Sequence, residues 1–425
     1  MRPYLLMAVL YLSLAAVTAL AAALQIIDVI PFFSGLRWLR VHIITLGGLT
    51  QLAFGVLPTL AARRHGEGQP RTRWDIWLTL NLGLLILMIG IPLVNNVLII
   101  TGGSLVFTAA GLLVYDLVRL WRSQPARPIQ QVDEQPEVRP FYVAAVSFLL
   151  VGILAGTGLW FGWGPALGIA APIEVHVHSN LWGFTALLLA GLITQLYPAL
   201  TGTSVAWKKL VAPSFWGMAI GATGLVAGPW MEVNALTVGG LVAHSLATAA
   251  LLANWATPIK RKLTPKSPGL LHILLAYVWF FFPVVVAPLI VFRMGETANE
   301  ISGSGGPILI YGWILPILYA LLPYFLQRWL RPDQPAKAGG TWASLLLIQA
   351  GSIVFWVSLF VTTGQSTLRA AAYGLWLASL VPVLYQLWGS LKRLAEESEG
   401  SPVITSAPKQ RDRENVDLKK QVLNE

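Results

Sequence analysis

The sequence predicts an all-α membrane protein: a polytopic bundle of about twelve transmembrane helices, built as a pseudo-threefold repeat of four helices. Three observations predict it. Apolar residues make up 56% of the 425 residues and charged residues only 11%, whereas charged residues average about 25% in soluble domains. The apolar residues form long segments, and a short motif recurs at every fourth segment. One bundle therefore accounts for most of the chain.

The apolar segments are long enough to cross a lipid bilayer. Each has roughly 18 to 27 mostly apolar residues, and about 20 helical residues span the ~30 Å hydrocarbon core. In chain order they cover about residues 3–28, 37–61, 74–93, 95–118, 140–163, 175–200, 213–231, 234–255, 270–293, 307–329, 341–362 and 369–391. The first also resembles a signal peptide cleaved after residue 21, but it is too long for a usual signal core, and we expect a retained helix.

The basic residues are distributed by loop. Most follow the even-numbered segments, and the alternate loops carry few, with Arg37, Arg40, Arg293 and Arg369 the main exceptions. Because basic loops stay on the cytoplasmic side, the pattern predicts a multi-pass protein of the inner (plasma) membrane with both termini in the cytoplasm. The positive charge is therefore a topology signal: it indicates contact with membrane lipid and no nucleic-acid partner.

The sequence divides into one membrane domain and a hydrophilic tail, with two hydrophilic stretches inside the membrane domain. We expect an integral membrane bundle over residues 1–393 and a cytoplasmic disordered tail over residues 394–425, which is charged and lacks apolar periodicity. Within the tail, a short helix near Glu414–Val422 is the most structure that we expect. Residues 119–139 predict a cytoplasmic linker. The glycine-rich stretch Gly295–Gly306 predicts a flexible loop, which is a lid only if it covers a site.

The repeated motif places a histidine and a glycine at the start of two segments. His42 is followed by Gly47, and four segments later His178 is followed by Gly183, in both cases five positions on. A further glycine and a proline follow in each run (Gly55 and Pro58, Gly191 and Pro198), and a third copy without histidine runs from Tyr311-Gly312-Trp313 to Pro323. The period of four helices differs from the six-helix repeat of major-facilitator transporters.

The two histidines are candidate cofactor ligands. His42 lies about 21 residues before Arg63, which is roughly 32 Å along a helix, so both His42 and His178 belong at the outer ends of their helices. An ionisable group inside a membrane is costly and is usually functional. Two imidazoles at matching depth can ligate one porphyrin iron from opposite sides, or two separate metals. The glycine five positions on lies on another face, where we expect it to admit a neighbouring helix.

His176 is a further candidate metal ligand. It lies two residues before His178, so on a regular helix the two rings diverge by about 200°. Both can serve one centre only if the backbone there is extended, which Pro172 favours. The alternative is an interfacial histidine beside Glu174.

The remaining histidines can be explained by structural roles, and His244 also by a functional one. His244 lies in the middle of the eighth segment, either as a neutral histidine hydrogen-bonded across the bundle or as a third metal ligand or proton carrier. His272 begins the ninth segment, where we expect an interfacial role, and His65 lies in a basic loop, where we expect it to be solvated.

Two absences restrict the chemistry. The chain has no cysteine, which excludes disulfides, iron–sulfur ligation, cysteine nucleophiles and covalent c-type haem, so any haem is bound non-covalently. The segment centres contain almost no carboxylates, although ion-coupled transporters and proton pumps usually need acids inside the membrane.

Two stretches resemble a known family. Residues Leu36–His42 (LRWLRVH), followed by a glycine-rich helix, resemble the second helix of the haem-copper oxidase subunit I superfamily, in which this histidine ligates the low-spin haem. Residues His176–Phe184 (HVHSNLWGF) are similar to phrases in its divergent branches and in haem-and-copper membrane proteins linked with nitric oxide metabolism, the NnrS type. The resemblance implies twelve helices, cytoplasmic termini, haems in the outer third of the membrane and three pseudo-repeats of four helices.

The family's full ligand set is not present. Residues 213–231 lack the histidine pair that binds copper in the family. In the third copy of the motif, Pro307 occupies the position that His42 and His178 occupy in the first two copies. The resemblance therefore implies a haem, of type b, at His42, with His178 as its opposite ligand or as the remnant of a copper site. It implies electron transfer, or binding of nitric oxide or oxygen, with a redox partner or a respiratory-complex subunit; whether the protein is an oxidoreductase stays open.

Two other functions remain alternatives. One is a permease for a small neutral or anionic solute, with Gln51, Gln195 and His244 lining a water-accessible path. The other is a structural or assembly protein of a respiratory complex, in which the histidine–glycine motif serves only helix packing.

Overall fold

The computed structural model is all-α, and the residues that it describes, 2–63, 71–122, 136–259, 268–292, 294–332 and 334–400, contain no strand. The membrane helices are α1 (Arg2–Ile26), α2 (Gly35–Ala62), α3 (Trp74–Gly90), α4 (Asn96–Arg122), α5 (Arg139–Phe161), α6 (Pro172–Thr201), α7 (Val211–Met231), α8 (Asn234–Ile259), α9 (Pro268–Val291), α10 (Ile308–Leu330), α11 (Trp342–Ser358) and α12 (Gln365–Gly400). All but α3 and α11 are long and apolar enough to span a membrane; those two have 17 residues each, about 26 Å of helix.

The expected helices are therefore present, within a few residues of their expected bounds. The differences lie at the ends. Helix α12 continues past residue 393 to Gly400, whereas the tail was expected to begin at 394; the helix expected near 414–422 lies outside the described residues. The stretch expected to be a flexible loop instead contains a surface helix, Gly295–Ser304, because its Ala298 and Ile301 are buried against the bundle.

Residues Met1–Leu387 form one compact unit, to which every contact below belongs. Residues 388–400, the described part of the second unit, are the C-terminal part of α12.

Helices α2, α6 and α10 form the centre of the bundle. In their most apolar stretches 83%, 78% and 94% of the residues are buried, against 28–50% for the other seven long helices. The outer helices therefore face lipid along much of their surface, as expected for a membrane bundle. These three central helices are the ones that carry the repeated motif.

Each central helix contains a π-helical segment at the same place. The three segments are Ile43–Leu49, Ser179–Thr185 and Ile308–Ile314, seven residues each. They begin directly after His42, His178 and Pro307, so the repeat read from the sequence is a repeat of backbone conformation. A π-helical turn, with hydrogen bonds from residue i to i+5, is rare and is frequent at functional sites.

The glycine at the fifth position of each π-helical segment packs against the preceding helix. A Cβ atom at this glycine would lie 2.4 to 2.9 Å from an aromatic side chain, which is closer than real Cβ atoms come to other heavy atoms. The pairs are Gly47 with Tyr11 of α1, Gly183 with Phe148 of α5, and Gly312 with Trp279 of α9. The expectation that these glycines admit a neighbouring helix is confirmed.

Candidate functional site

The candidate site lies at the end of the bundle where α2, α6, α10 and α12 begin, which we call the histidine end. His42 closes the short α-helical segment Gly35–His42 that precedes the π-helical turn of α2. His176 and His178 lie in the matching segment Pro172–His178 of α6. The three rings are half-buried. The repeated architecture thus presents histidines from two central helices at one end of the bundle.

The structure brings His42 together with His176. Their ring centres lie 6.2 Å apart, with 29° between the ring planes. Trp38, one turn before His42, stacks on the His42 ring at 4.2 Å and 11°. The stacked indole restricts rotation of the His42 ring.

His178, which the motif favoured as the partner of His42, belongs to a different face of α6. The backbone of this segment is α-helical, so the condition under which both histidines could serve one centre is not met. Rings two residues apart on a helix diverge by about 200°. His178 instead donates from Nδ1 to the carbonyl oxygen of Leu225 on α7, at 2.7 Å.

Hydrogen bonds fix the protonated nitrogen of both paired rings. His42 Nδ1 lies 2.9 Å from the carbonyl oxygen of Trp38, and His176 Nδ1 lies 2.7 Å from that of Gly152 on α5. A carbonyl oxygen only accepts, so each Nδ1 donates, and Nε2 of the neutral ring keeps its lone pair. Metal-binding histidines typically have this arrangement, in which the second nitrogen donates to a carbonyl that orients the ring.

Two glycines of α5 make room for the side chains on α6. A Cβ atom on Gly156 would lie 2.5 Å from His176 Nδ1, and one on Gly152 would lie 2.3 Å from Asn180 Nδ2. Asn180 donates to the carbonyl oxygen of His176 at 2.7 Å. Sequence reasoning missed these residues; the signal for them was the Gly-x-x-x-Gly spacing in α5, which permits close helix approach.

His244 and His272 lie deep in the bundle, each fully buried. His244 Nε2 donates to the carbonyl oxygen of Trp182 on α6 at 3.1 Å, and Thr248 lies against its other nitrogen. This is the hydrogen-bonded arrangement across the bundle, one of the two interpretations offered for His244. His272 was expected at the interface, but it is enclosed between α9 and α11, with Nε2 2.9 Å from Ser344 Oγ. His65 lies outside the described residues.

The four histidines named as metal candidates, His42, His176, His178 and His244, do not form one cluster. Within the described part of the chain there is no group of three or more His, Cys, Asp or Glu side chains that could hold a metal ion. The structure therefore offers a pair of imidazoles rather than a complete protein cage.

The residues suggested for a permeation path are engaged in contacts between helices. Gln51 donates to Asn81 on α3 at 2.8 Å. Gln195 accepts from the Tyr142 hydroxyl on α5. With His244 bonded to α6, each of the three joins a different pair of helices, which does not favour a shared solute path.

Comparison with protein-family models and with curated proteins finds no match for this chain. The fold itself defines the general class: this is a multi-pass membrane protein whose apolar helices contact lipid.

Proposed function

We propose that the protein is an integral membrane haem-binding protein, a divergent relative of the haem-copper oxidase subunit I superfamily, that transfers electrons. The pair His42–His176 carries the proposal. Two imidazoles on opposite sides of one metal, each bound through Nε2 at about 2 Å, would have ring centres about 6 Å apart. The ring centres of His42 and His176 are separated by 6.2 Å.

The number of donors favours haem over a bare metal ion. A zinc or copper ion in a protein usually takes three or more protein ligands, and the described residues offer no such group. A haem would need only two ligands such as His42 and His176 from the protein, because the porphyrin supplies four nitrogens. Copper, which the resemblance also implied, is therefore less well supported than a non-covalent b-type haem.

The ligand pair also favours electron transfer over gas binding. A haem supplies a one-electron carrier whose potential depends on its axial ligands and on their hydrogen bonds. If His42 and His176 both held the iron, the haem would supply electron transfer and would not bind nitric oxide or oxygen at that iron. The carbonyl groups of Trp38 and Gly152 orient the two rings and raise their basicity through the Nδ1 hydrogen bonds.

The surroundings proposed for this site follow from the loop charges. Basic residues concentrate in the loops at the end opposite the histidine end. By the positive-inside rule, the protein lies in the inner (plasma) membrane with cytoplasmic termini and with its haem near the outer face. A redox partner or a respiratory-complex subunit then approaches from the outer side.

The proposal is tested by spectroscopy on purified protein. The chain is expressed with ample haem, purified in detergent, and examined oxidised and dithionite-reduced, with a pyridine haemochrome assay. We expect a Soret band and sharp reduced α and β bands, as for a six-coordinate b-type haem. His42→Ala and His176→Ala should lose these bands, whereas the matched variant His178→Ala should keep them.

Two results would contradict the proposal in different ways. A colourless, folded wild-type protein would remove the haem and leave a structural or assembly role as the better hypothesis. Loss of the bands in His178→Ala, with retention in His176→Ala, would return the ligand role to the histidine of the repeated motif.

A further inference from the structure

A second cluster at the histidine end faces away from His42. Arg37 and Arg40 lie three residues apart and share one face of α2, whereas Arg40 and His42 are about 200° apart around the helix. The Arg40 guanidinium lies over the ring of Tyr373 on α12, 5.2 Å from its centre. Tyr311 of α10 donates to the Arg40 carbonyl oxygen at 3.3 Å. This arginine cluster therefore lies between α2, α10 and α12.

A third guanidinium joins the cluster from α12. Arg369 pairs with Glu300 of the surface helix, and Arg37 donates to the Gly303 carbonyl oxygen at 3.1 Å. Arg369 precedes Tyr373 by one turn of α12, and Arg40 covers the Tyr373 ring, so the three guanidinium groups lie around the contact of α2 and α12 with the surface helix. Among the side chains that the structure describes, Glu300 is the carboxylate paired with these three cations, so positive charge is in excess.

Several donors of this cluster are buried and have no hydrogen-bond partner among the described residues. They are Arg40 Nε, Arg369 Nε and the Tyr373 hydroxyl, and Tyr373 is only 1% exposed. A buried unpaired donor costs free energy, and such groups in native proteins usually have an explanation, such as an ion or a water molecule. An excess of cations together with unpaired donors indicates a binding site for an anion.

We propose that Arg37, Arg40, Arg369 and Tyr373 bind a small oxyanion of carboxylate geometry at the histidine end. The planar guanidinium group offers paired donors that match the two oxygens of such an anion. The phenol hydroxyl supplies a further donor. Because the cluster lies on the opposite face of α2 from His42, this site does not depend on haem.

The experiment measures binding of acetate to the purified full-length protein. Trp376 stacks on Tyr311 at 4.5 Å and is buried, so tryptophan fluorescence and thermal unfolding are followed as acetate replaces chloride at constant ionic strength. We expect a saturable change. Arg40→Gln should weaken acetate binding by about tenfold or more, and Tyr373→Phe, which removes only a hydroxyl, by several-fold.

The control variant is Arg328→Gln, which removes an arginine at the opposite end of α10 and should leave acetate affinity unchanged. If Arg40→Gln does not fold, Arg40→Lys, which keeps the charge but not the paired donors, takes its place with the same expectation. The proposal is overturned if acetate has no saturable effect on the folded wild type, if chloride acts equally well, or if Tyr373→Phe and the Arg40 variant bind acetate like the wild type.

Discussion

At the scale of single residues, two positions on one helix turn decide the character of the site. His176 and His178 are the same residue type only two positions apart, yet the helix directs one ring toward His42 and the other toward Leu225. The sequence could identify histidines near the starts of equivalent helices. It could not give the rotation of α6 about its axis, because rotation depends on packing of whole helix faces and not on the spacing of two residues.

The space for the His176 ring leads to a prediction at Gly156. Gly156→Ala should displace the imidazole, since the new methyl group would lie 2.5 Å from ring atoms. We expect weaker haem retention and a loss of about 1–3 kcal/mol in the free energy of unfolding, measured by absorption and by chemical denaturation.

The control for Gly156 is Gly111→Ala on α4, where an added Cβ meets no atom within 4 Å. That variant should keep the haem bands and gain up to about 1 kcal/mol of stability, because alanine favours helix over glycine. Wild-type absorption and stability in Gly156→Ala would show that the ring is not confined as the structure indicates.

At the scale of elements, the sequence predicted the helices well and their internal geometry poorly. Hydropathy alone defines α1 to α12, since a lipid-facing helix must be apolar over its length. The repeat motif marked the correct places on α2, α6 and α10. The π-helical turns were not predictable from it, because the glycine that packs on Tyr11 or Phe148 acts through a contact with another helix.

Acid should weaken the attachment of the surface helix Gly295–Ser304. Burial would raise the pKa of Glu300, but hydrogen bonds from Ser304 and Arg369 outweigh burial and hold this pKa below its ordinary value of 4.5. A carboxyl group whose pKa is lowered in the folded state stabilises that state at a pH above its ordinary pKa. This contribution is lost as the pH falls through the lowered pKa. Attachment is therefore complete at neutral pH and weakens progressively below pH 4.5.

Hydrogen exchange of the surface-helix amides, corrected for the intrinsic effect of pH, measures this attachment. The wild type should show protection at neutral pH that decreases below pH 4.5. Glu300→Gln should show weak protection at all these pH values. An acid-induced loss of the same size in Glu300→Gln would place the responsible group elsewhere.

At the scale of the whole molecule, charge and burial separate the two ends of the bundle. At the end opposite the histidines, Asp116 is buried on α4 and pairs with Arg73 at 3.1 Å and Arg119 at 2.8 Å. The histidine end carries the imidazole pair and the arginine cluster. An outward-facing histidine end would give a redox partner and small anions access from the outer side, so the orientation decides from which side each would reach the protein.

The orientation can be measured directly because the chain contains no cysteine, so that any introduced cysteine is a unique label site. Asn299 is exposed on the surface helix at the histidine end, and Arg122 is exposed where α4 ends at the opposite end. The positive-inside rule predicts that a membrane-impermeant maleimide labels Asn299→Cys in intact cells, and Arg122→Cys only after permeabilisation. The reverse pattern would invert the bundle, place the histidine pair near the cytoplasmic face, and require its electron partner to be cytoplasmic.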